Sequence, residues 1–316
     1  MLNAFIVLCV FLFGTLGALG FSEKQISFKS QGITLKGTLF LPTGFSTKQK
    51  IPGVIVTGAW TTVKEQMPRT YAIEMANRGY AALTFDFTGW GESEGKNRYM
   101  EDPVGKTQDI IAAVEYLHSR KEIDNRKIAG IGICASSGYM ADAYTMTKKL
   151  KSVTLVAPWL HSPEIAKSVY GGEDSVNKLL SAADEARDQF KRTGRLTTAV
   201  AASTKDKNSI MFKAPYYTEK DRGLIKEYDN KFNIGSWRPW LTYDAMASAK
   251  KLPGPILFVG SDAMALPKGA ETYASLAKGK VTKVWLDNIT QFDFYDQKNA
   301  VSRAVDSAHM HFTKYL

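Results

Sequence analysis

Residues 130–138, with the sequence GIGICASSG, stand between a run of strand-forming residues, 127–134, and a segment with a helical pattern. A strand-to-helix turn this tight needs small residues two positions before and two positions after its tip. Gly132 and Ser136 meet that requirement around Cys134. The spacing therefore predicts a nucleophile elbow with Cys134 at its tip, followed directly by a helix.

Two backbone amides are predicted to face the Cys134 sulfur. The first belongs to Ala135, at the start of the helix, where the positive end of the helix favours a thiolate over a thiol. The second lies in the loop 57–61 after the first central strand, which places the amide of Ala59 or Trp60 at the same point. Such amides bind the oxyanion that forms during acyl transfer.

The elbow also permits other interpretations. Ser136 and Ser137 are alternative nucleophiles, although both lie beyond the tip. Cys134 is also consistent with a small structural residue at a strand end, because free cysteine is among the residue types most often buried. Its position between a strand and a helix favours the catalytic role.

Strands and helices alternate along most of the chain. Residues 25–30 and 33–41 alternate in polarity around Gln31-Gly32 and predict an antiparallel hairpin. Further strands are predicted at 51–57, 81–87, 127–134, 152–157, 255–259 and 281–286. Helices are predicted at 63–78, 103–118, 265–276 and 295–315. This order is typical of an α/β fold, with a mostly parallel sheet covered by helices on both faces.

Residues 159–249 break the alternation, and we interpret them as a helical cap inserted into a core formed by residues 21–158 and 250–316. An insertion after the carboxyl end of a strand lies over the ligand crevice of a doubly wound sheet. Four aromatic residues of the cap are therefore candidates for the pocket wall, with packing between cap and core as the alternative. They are Tyr216, Tyr217, Trp237 and Trp240.

Residues 1–20 have a different composition from the rest of the chain. An apolar run over 5–19 ends in Ala18-Leu19-Gly20, a pattern typical of a signal-peptide cleavage site. We expect a cleaved leader and therefore a secreted or periplasmic protein. The alternative is an uncleaved membrane anchor, because the segment lacks the Lys or Arg typical of the start of a signal peptide. Only the anchored form would contact a membrane. Removal of this segment, with Cys9, leaves Cys134 as the single cysteine and permits no internal disulfide.

The formal net charge of +10 raises the question of an anionic partner. Basic residues are spread along the chain, the longest cluster being Lys148, Lys149 and Lys151, and no nucleic-acid-binding motif is recognised. We therefore predict no nucleic-acid partner. The sequence has neither a Cys/His metal-binding spacing nor a Gly-Lys-Ser/Thr phosphate loop, so we predict no metal and no nucleotide cofactor.

Four segments together resemble the α/β-hydrolase superfamily, in the branch of the dienelactone hydrolases and the polyketide-transferase-like hydrolases. They are TTVKEQM at 61–67, FDFTGWGESEG at 85–95, GICASSG at 132–138 and QFDFYD at 291–296. The resemblance extends over nearly all of residues 25–316. It implies an α/β-hydrolase fold and a Cys-His-Asp triad, in which Cys134 matches the nucleophile.

The other two triad positions match less well. The resemblance implies an acid after the strand that follows the cap, where Asp262 is the carboxylate of the segment 260–264. Related sequences place the acid two positions later, at Met264, so Asp262 is also consistent with a solvated turn residue. The loop 287–293, where the resemblance implies the histidine, holds Gln291 at that position. A glutamine amide hydrogen-bonds a substrate or a water but takes up no proton near neutral pH.

A histidine elsewhere in the chain is the remaining source of a base. His161 follows the predicted strand 152–157, lies near the carboxyl edge of the predicted sheet and is the best substitute. The other three histidines are expected on the surface or in packing positions. They are His118, His309 and His311.

These features predict a hydrolase or acyltransferase that uses Cys134 on a small apolar ester, lactone or thioester, with Gln291 as a polar positioning group. Cysteine is partly ionised without a base, so acylation would persist while deacylation by water would be slow. The arrangement therefore suits acyl transfer better than hydrolysis. The alternative is a weakly active or inactive α/β-hydrolase-fold protein that binds its small-molecule ligand in the retained pocket. The sequence specifies neither the substrate nor the oligomeric state.

Overall fold

The computed structural model describes residues 20–44 and 49–316. The predicted leader at 1–20, and with it the prediction of export or anchoring, lies outside these ranges except for Gly20. None of the helices within the described ranges combines the length and the apolar character needed to cross a membrane.

Strands form the centre of the molecule and part of the insertion. They are β1 (Phe21–Ser30), β2 (Ile33–Pro42), β3 (Ile51–Thr57), β4 (Ala81–Phe85), β5 (Ile123–Ile133), β6 (Ser152–Val156), β7 (Thr198–Val200), β8 (Ala202–Ser203), β9 (Met211–Phe212), β10 (Lys231–Asn233), β11 (Ile256–Gly260) and β12 (Val281–Trp285). Eight of them form one sheet in the order β1-β2-β4-β3-β5-β6-β11-β12. The sheet is parallel from β4 to β12, whereas β2 is antiparallel to both of its neighbours. The predicted hairpin is confirmed, with Ser30 paired to Ile33.

Helices surround this sheet. They are α1 (Met67–Ala76), α2 (Pro103–Ser119), α3 (Ser136–Met146), α4 (Pro163–Val169), α5 (Glu173–Thr193), α6 (Pro215–Thr218), α7 (Trp237–Leu241), α8 (Pro267–Leu276), α9 (Asp293–Asp296) and α10 (Lys298–Tyr315), together with short 3-10 helices at Ile234–Ser236 and Ala245–Lys251. Every residue of β4, β6 and β11 is buried, which requires cover on both faces of the sheet. The predicted α/β fold is confirmed.

The first helix begins later than its polarity pattern predicts. The pattern predicts a helix over 63–78, but α1 begins at Met67, with Pro68 in its first turn. The preceding residues form a buried loop, in which the Val63 N–H donates to Gln66 Oε1 at 2.9 Å. Gln66 Nε2 in turn donates to the carbonyl of Gly223 at 2.7 Å. One local and one long-range hydrogen bond of Gln66 therefore replace the helical turn that the buried apolar residues had suggested.

The insertion between β6 and β11 contains α4 to α7, β7 to β10 and the two 3-10 helices. Its longest element is α5, a helix of 21 residues that ends at Gly194 in the left-handed conformation. The predicted helical cap contains α4 to α7, and two small sheets, β7 with β10 and β8 with β9, lie in the same segment. Strands of two or three residues are too short to produce a periodic pattern in the sequence.

Replacement of Gly132 by alanine is expected to destabilise the elbow. A β-carbon at Gly132 would lie 2.6 Å from the Ser136 carbonyl oxygen and 2.9 Å from Met140 Cβ, so backbone must move to admit it. We expect the Gly132→Ala variant to lose about 1–3 kcal/mol of unfolding free energy, measured by denaturant titration. Gly105→Ala is the control, because its β-carbon would meet only the Asp102 side chain, at 3.1 Å. Equal stability of the two variants would contradict this account of the turn.

Candidate active site

Cys134 lies between β5 and α3, and its backbone has a φ of +57°. This left-handed conformation is costly for a residue with a β-carbon and persists only where neighbours hold it. The Cys134 N–H donates to the Val156 carbonyl at 3.0 Å. The Cys134 carbonyl accepts from the N–H groups of Ser137 at 3.0 Å and Trp159 at 3.1 Å. The strand, the strained tip and the helix have the geometry of a nucleophile elbow.

Burial raises the pKa of the Cys134 thiol, and three hydrogen-bond donors beside the sulfur oppose that rise. They are the backbone N–H groups of Trp60 and Ala135 and the hydroxyl of Tyr295. The side chain is buried, and burial raises the pKa of the Cys134 thiol against the opposing effect of these hydrogen bonds. The two amides have the arrangement of an oxyanion hole. From the loop after β3 it is the amide of Trp60, rather than that of Ala59, that bonds to the sulfur.

The two serines beside the tip have structural hydrogen bonds. Ser136 Oγ donates to the carbonyl of Gly58, and Ser137 Oγ donates to the carbonyl of Gly132 at 3.1 Å. Both residues are buried. Their hydroxyls therefore hold the loop after β3 and the end of β5, while the sulfur faces the cavity.

Gln291 is buried in the cavity wall and all of its amide hydrogen-bonding groups are used. Its Oε1 accepts from the Ala265 N–H at 2.9 Å. Its Nε2 donates to the Ala157 carbonyl at 3.0 Å and to the Tyr295 hydroxyl at 3.0 Å. Because Tyr295 accepts from Gln291, its own proton is available to the sulfur. Gln291 thus reaches Cys134 through one intervening hydroxyl group.

Tyr295 is the residue of the site that the sequence analysis missed. The predicted last helix, 295–315, begins at this residue, but the structure divides that segment into α9 and α10 with Gln297 extended between them. Tyr295 therefore lies on the short helix α9, four residues after Gln291, and turns toward the sulfur. Burial raises the pKa of Tyr295 well above its usual range, so it remains a neutral donor. The spacing of four residues between Gln291 and Tyr295, which places two side chains of a helical segment next to each other, was the sequence signal for this contact.

Asp262 is not brought to the other predicted triad positions. It is exposed at the end of β11, and its Oδ1 accepts from Trp285 Nε1 at 2.8 Å. It does not line the cavity, and none of the hydrogen bonds of Gln291 involves it. Its contacts are those of a turn residue that covers the edge of a tryptophan.

His161 is buried close to the cavity but does not line it. Its Nδ1 accepts from Trp159 Nε1 at 3.1 Å, which leaves the proton on Nε2 for the Trp240 carbonyl at 2.8 Å. Burial lowers the pKa of His161 to about 4. Both ring nitrogens are therefore used in hydrogen bonds within the cap, and neither bonds to Cys134.

A cavity of about 220 Å³ lies above the sulfur between core and cap. Its lining residues are all uncharged: Trp60, Cys134, Ala135, Trp159, Tyr170, Ile210, Met211, Tyr217, Trp240, Ala265, Gln291, Phe292 and Tyr295. Of the four cap aromatics considered from the sequence, Tyr217 and Trp240 line the cavity. Tyr216 and Trp237 pack behind it, against Tyr295 and Trp60 respectively.

One group of acidic residues in the described ranges has the spacing of a metal site, and a lysine occupies it. Glu65, Asp86 and Glu92 each place a carboxylate oxygen within 4.8 Å of the others. Lys64 Nζ lies 2.6 Å from Glu65, 2.9 Å from Asp86 and 2.6 Å from Glu92. The ammonium group therefore supplies the positive charge that these carboxylates require.

Residues 31–290 match the model of the family described as X-Pro dipeptidyl-peptidase (S15 family). The chain belongs to this family. Among relatives of this S15-family protein, the uncharacterized protein YcjY of Escherichia coli K12 is 25% identical over 296 residues, covering 90% of this chain and 96% of YcjY. The polyketide transferase claH of Penicillium crustosum is 25% identical over 260 residues, covering 78% of this chain and 82% of claH.

Solved structures of α/β hydrolases share the fold of this S15-family protein. The α/β hydrolase GrgF of a Penicillium species matches with a TM-score of 0.77 at 17% identity, covering 92% of this chain and 99% of GrgF. A dienelactone hydrolase of Anabaena variabilis matches with a TM-score of 0.57 at 12% identity, covering 94% of this chain and 99% of that chain. The fold implied by the sequence resemblance is confirmed, and the protein is a hydrolase or acyltransferase of the α/β-hydrolase type.

Removal of the Tyr295 hydroxyl is expected to make Cys134 harder to ionise. The hydrogen bond from Tyr295 lowers the pKa of the thiol, although burial outweighs it, so Tyr295→Phe should raise that pKa further. The rate of alkylation by iodoacetamide, measured against pH, should shift to higher pH. Tyr216→Phe is the matched control, because Tyr216 packs on the Tyr295 ring at 5.1 Å without bonding to the sulfur. An unchanged profile for Tyr295→Phe would contradict the hydrogen bond.

Proposed function

We propose that the protein transfers or hydrolyses small uncharged acyl groups through an acyl-Cys134 intermediate. The observation that carries this proposal is the placement of two backbone amides and the Tyr295 hydroxyl beside one sulfur that lines an apolar cavity. Amide donors directed at one point stabilise the negative oxygen of a tetrahedral intermediate. A structural cysteine has no need of such donors.

In the proposed acylation, the Cys134 thiol loses its proton and the sulfur attacks the carbonyl carbon of the substrate. A carbon–sulfur bond forms, and the carbonyl oxygen becomes an oxyanion held by the N–H groups of Trp60 and Ala135. The carbonyl then re-forms as the bond to the alcohol or thiol breaks, and this leaving group gains the proton that Cys134 lost. Tyr295 remains hydrogen-bonded to the sulfur, and Gln291 holds its hydroxyl in place.

Transfer to an acceptor is favoured over hydrolysis. Gln291 takes up no proton near neutral pH, and His161 has both ring nitrogens committed elsewhere, so neither activates water beside the acyl group. A better nucleophile, such as an alcohol, an amine or a thiol of the acceptor, depends less on a base. The name of claH, a polyketide transferase, supports an acyl-transfer activity.

The cavity indicates the chemical class of the acyl group. Its wall is mostly aromatic and carries no charged side chain. Burial of a charged substrate group there would cost several kcal/mol without a partner to offset it. With a volume of about 220 Å³, the cavity suits a small apolar acyl chain of an ester, lactone or thioester.

An acyl-enzyme should form on Cys134 and persist. We expect the wild-type protein, incubated with p-nitrophenyl acetate or an acetyl thioester, to gain one acetyl group, measured by intact-mass spectrometry. Cys134→Ala should gain none. Ser137→Ala is the matched control and should still be acylated, because the Ser137 hydroxyl is bonded to the Gly132 carbonyl. Acylation of Cys134→Ala at a wild-type rate would exclude the proposed nucleophile.

Introduction of a base at position 291 should convert the protein into a faster hydrolase. Gln291→His places an imidazole beside Tyr295, and Met264→Asp adds a carboxylate next to Ala265, whose N–H now holds Gln291. We expect a modest rise in ester turnover for Gln291→His and a rise of about 100-fold for the double variant, the lower limit for a general base. Gln291→Leu, without a base, is the control. If the folded double variant is no faster than wild type, the missing base at position 291 is not what limits deacylation.

A ligand-binding protein without turnover is the second candidate. The observation in its favour is the raised pKa of the buried thiol together with the committed ring of His161. In that case Cys134→Ala would bind the same apolar ligand as wild type, and iodoacetamide would leave Cys134 unmodified. Labelling of Cys134 together with a stable acyl adduct favours the enzyme.

A further inference from the structure

We propose that Glu101 is a positioning residue for the oxyanion hole, because its buried carboxylate holds the loop that presents the Trp60 amide to the substrate. This inference rests on the proposed function. Glu101 precedes α2 in the chain and contributes nothing to the cavity wall. Its effect on the reaction must therefore pass through its contacts with the loop.

The loop after β3 has a strained backbone next to the amide that it supplies. Thr61 follows Trp60 directly and has a φ of +62°, a left-handed conformation that a β-branched residue rarely adopts. Such strain costs about 1–3 kcal/mol and persists only where surrounding groups enforce it. If Thr61 relaxed, the peptide plane before it would rotate and Trp60 would move.

Glu101 holds the N–H side of the Trp60–Thr61 peptide, whose carbonyl accepts from the Tyr217 hydroxyl at 3.2 Å. Its Oε1 accepts from the Thr61 N–H at 2.6 Å, and the residue is completely buried. On its other side, the Thr61 hydroxyl lies 3.3 Å from the Tyr228 hydroxyl of the cap. The carboxylate provides a charge-assisted acceptor for a backbone N–H that would otherwise be buried and unpaired.

A buried lysine fixes the Glu101 carboxylate in turn. Lys106 Nζ lies 2.7 Å from Glu101 Oε1, and the lysine side chain is 4% exposed. The ammonium also lies over the rings of Phe87, at 4.7 Å, and Trp90, at 4.8 Å. A pair of opposite charges inside the protein costs desolvation that apolar residues would avoid. This ion pair behind the loop is explained by its role, which is to provide a fixed acceptor for the Thr61 N–H.

Glu101 also joins the loop to the other half of the oxyanion hole. The Tyr139 hydroxyl, on the helix that begins just after Cys134, donates to Glu101 Oε2 at 3.3 Å. The Glu101 N–H donates to Ser236 Oγ of the cap at 2.9 Å. One carboxylate thus connects the loop that carries the Trp60 amide with the helix that carries the Ala135 amide.

Two double variants separate the acceptor from the charge pair. Glu101→Leu with Lys106→Met removes both charges and the acceptor for the Thr61 N–H. Glu101→Gln with Lys106→Met removes both charges but keeps an amide oxygen in reach of it, and is the matched control. Each is assayed for acetylation of Cys134 by an acetyl thioester and for alkylation of Cys134 by iodoacetamide, a reaction that forms no oxyanion. Thermal melting reports the fold.

We expect the leucine variant to acetylate at least about 10-fold more slowly at saturating thioester, with an unchanged KM, approaching the roughly 10²-fold cost of a lost oxyanion donor. The glutamine variant should remain within about 3-fold of wild type. Alkylation is compared on its alkaline plateau, where the thiol is fully ionised, and should not slow in either variant, because that reaction forms no oxyanion. Equal acetylation by the two double variants would overturn the proposal, as would parallel losses of acetylation and alkylation.

Glu101→Asp, with Lys106 retained, provides a second test should the leucine variant not fold. The shorter side chain keeps the charge pair but withdraws the acceptor from Thr61, so acetylation should fall while alkylation on its alkaline plateau persists. A wild-type acetylation rate in this variant contradicts the proposal. Absence of acetylation in the wild-type protein itself would instead refute the acyl-enzyme function. That outcome is distinct from a loss of acetylation seen only in the variants, which tests the role of Glu101.

Discussion

The hydrogen bond from the Cys134 N–H to the Val156 carbonyl joins the tip of the elbow to the neighbouring strand. The parallel ladder of β5 and β6 ends at the pair Ile133 and Val156, and Cys134 extends it by one more bond while its backbone turns left-handed. The chain therefore leaves the sheet at a fixed point, and α3 begins with its first amide beside the sulfur. The oxyanion hole, the cavity floor and the place of Tyr295 are all defined relative to that point.

The loop opposite the elbow is held by charged groups at both ends. Glu101 accepts from the Thr61 N–H, and three residues later Asp86 accepts from the Lys64 N–H at 2.8 Å and from Lys64 Nζ at 2.9 Å. Hydrophobic packing tolerates sliding by fractions of an ångström, whereas a hydrogen bond to a buried carboxylate fixes direction as well as distance. Two of the buried carboxylates of the molecule, Glu101 and Asp86, thus lie at the two ends of the loop that carries the Trp60 amide.

The sequence predicted those parts of the molecule that depend on neighbouring residues. The hairpin, the alternating strands and helices and the strand-turn-helix at Cys134 follow from polarity periods and small residues within about ten positions. The site residues that it did not resolve depend on distant partners. Nothing near Asp262 in the chain indicates that it covers Trp285. The commitment of His161 depends on Trp240, 79 residues away.

The position of Tyr295 and the start of α1 were likewise not predictable from the local sequence pattern. Both lie in segments with a helical pattern, and in both the helix is broken: α1 begins only after the loop in which Gln66 bonds to Gly223, and Gln297 is extended between α9 and α10. A local pattern records which residues are apolar, but not which polar group will find a partner across the fold. The partner of each buried polar group is determined only by how the helices and strands pack in the folded chain.

The glutamine in the cavity wall also determines how the active site responds to acidity. Enzymes that use a separate acid and base pass through two ionisations and are most active between them. Here the tyrosines of the wall, Tyr170, Tyr217 and Tyr295, have pKa values raised by burial, and Gln291 does not titrate. The sulfur is left as the lining group whose ionisation controls the reaction, and burial raises the pKa of its thiol. The reaction would then follow a single ascending curve that rises toward alkaline pH and levels off once the thiol is ionised.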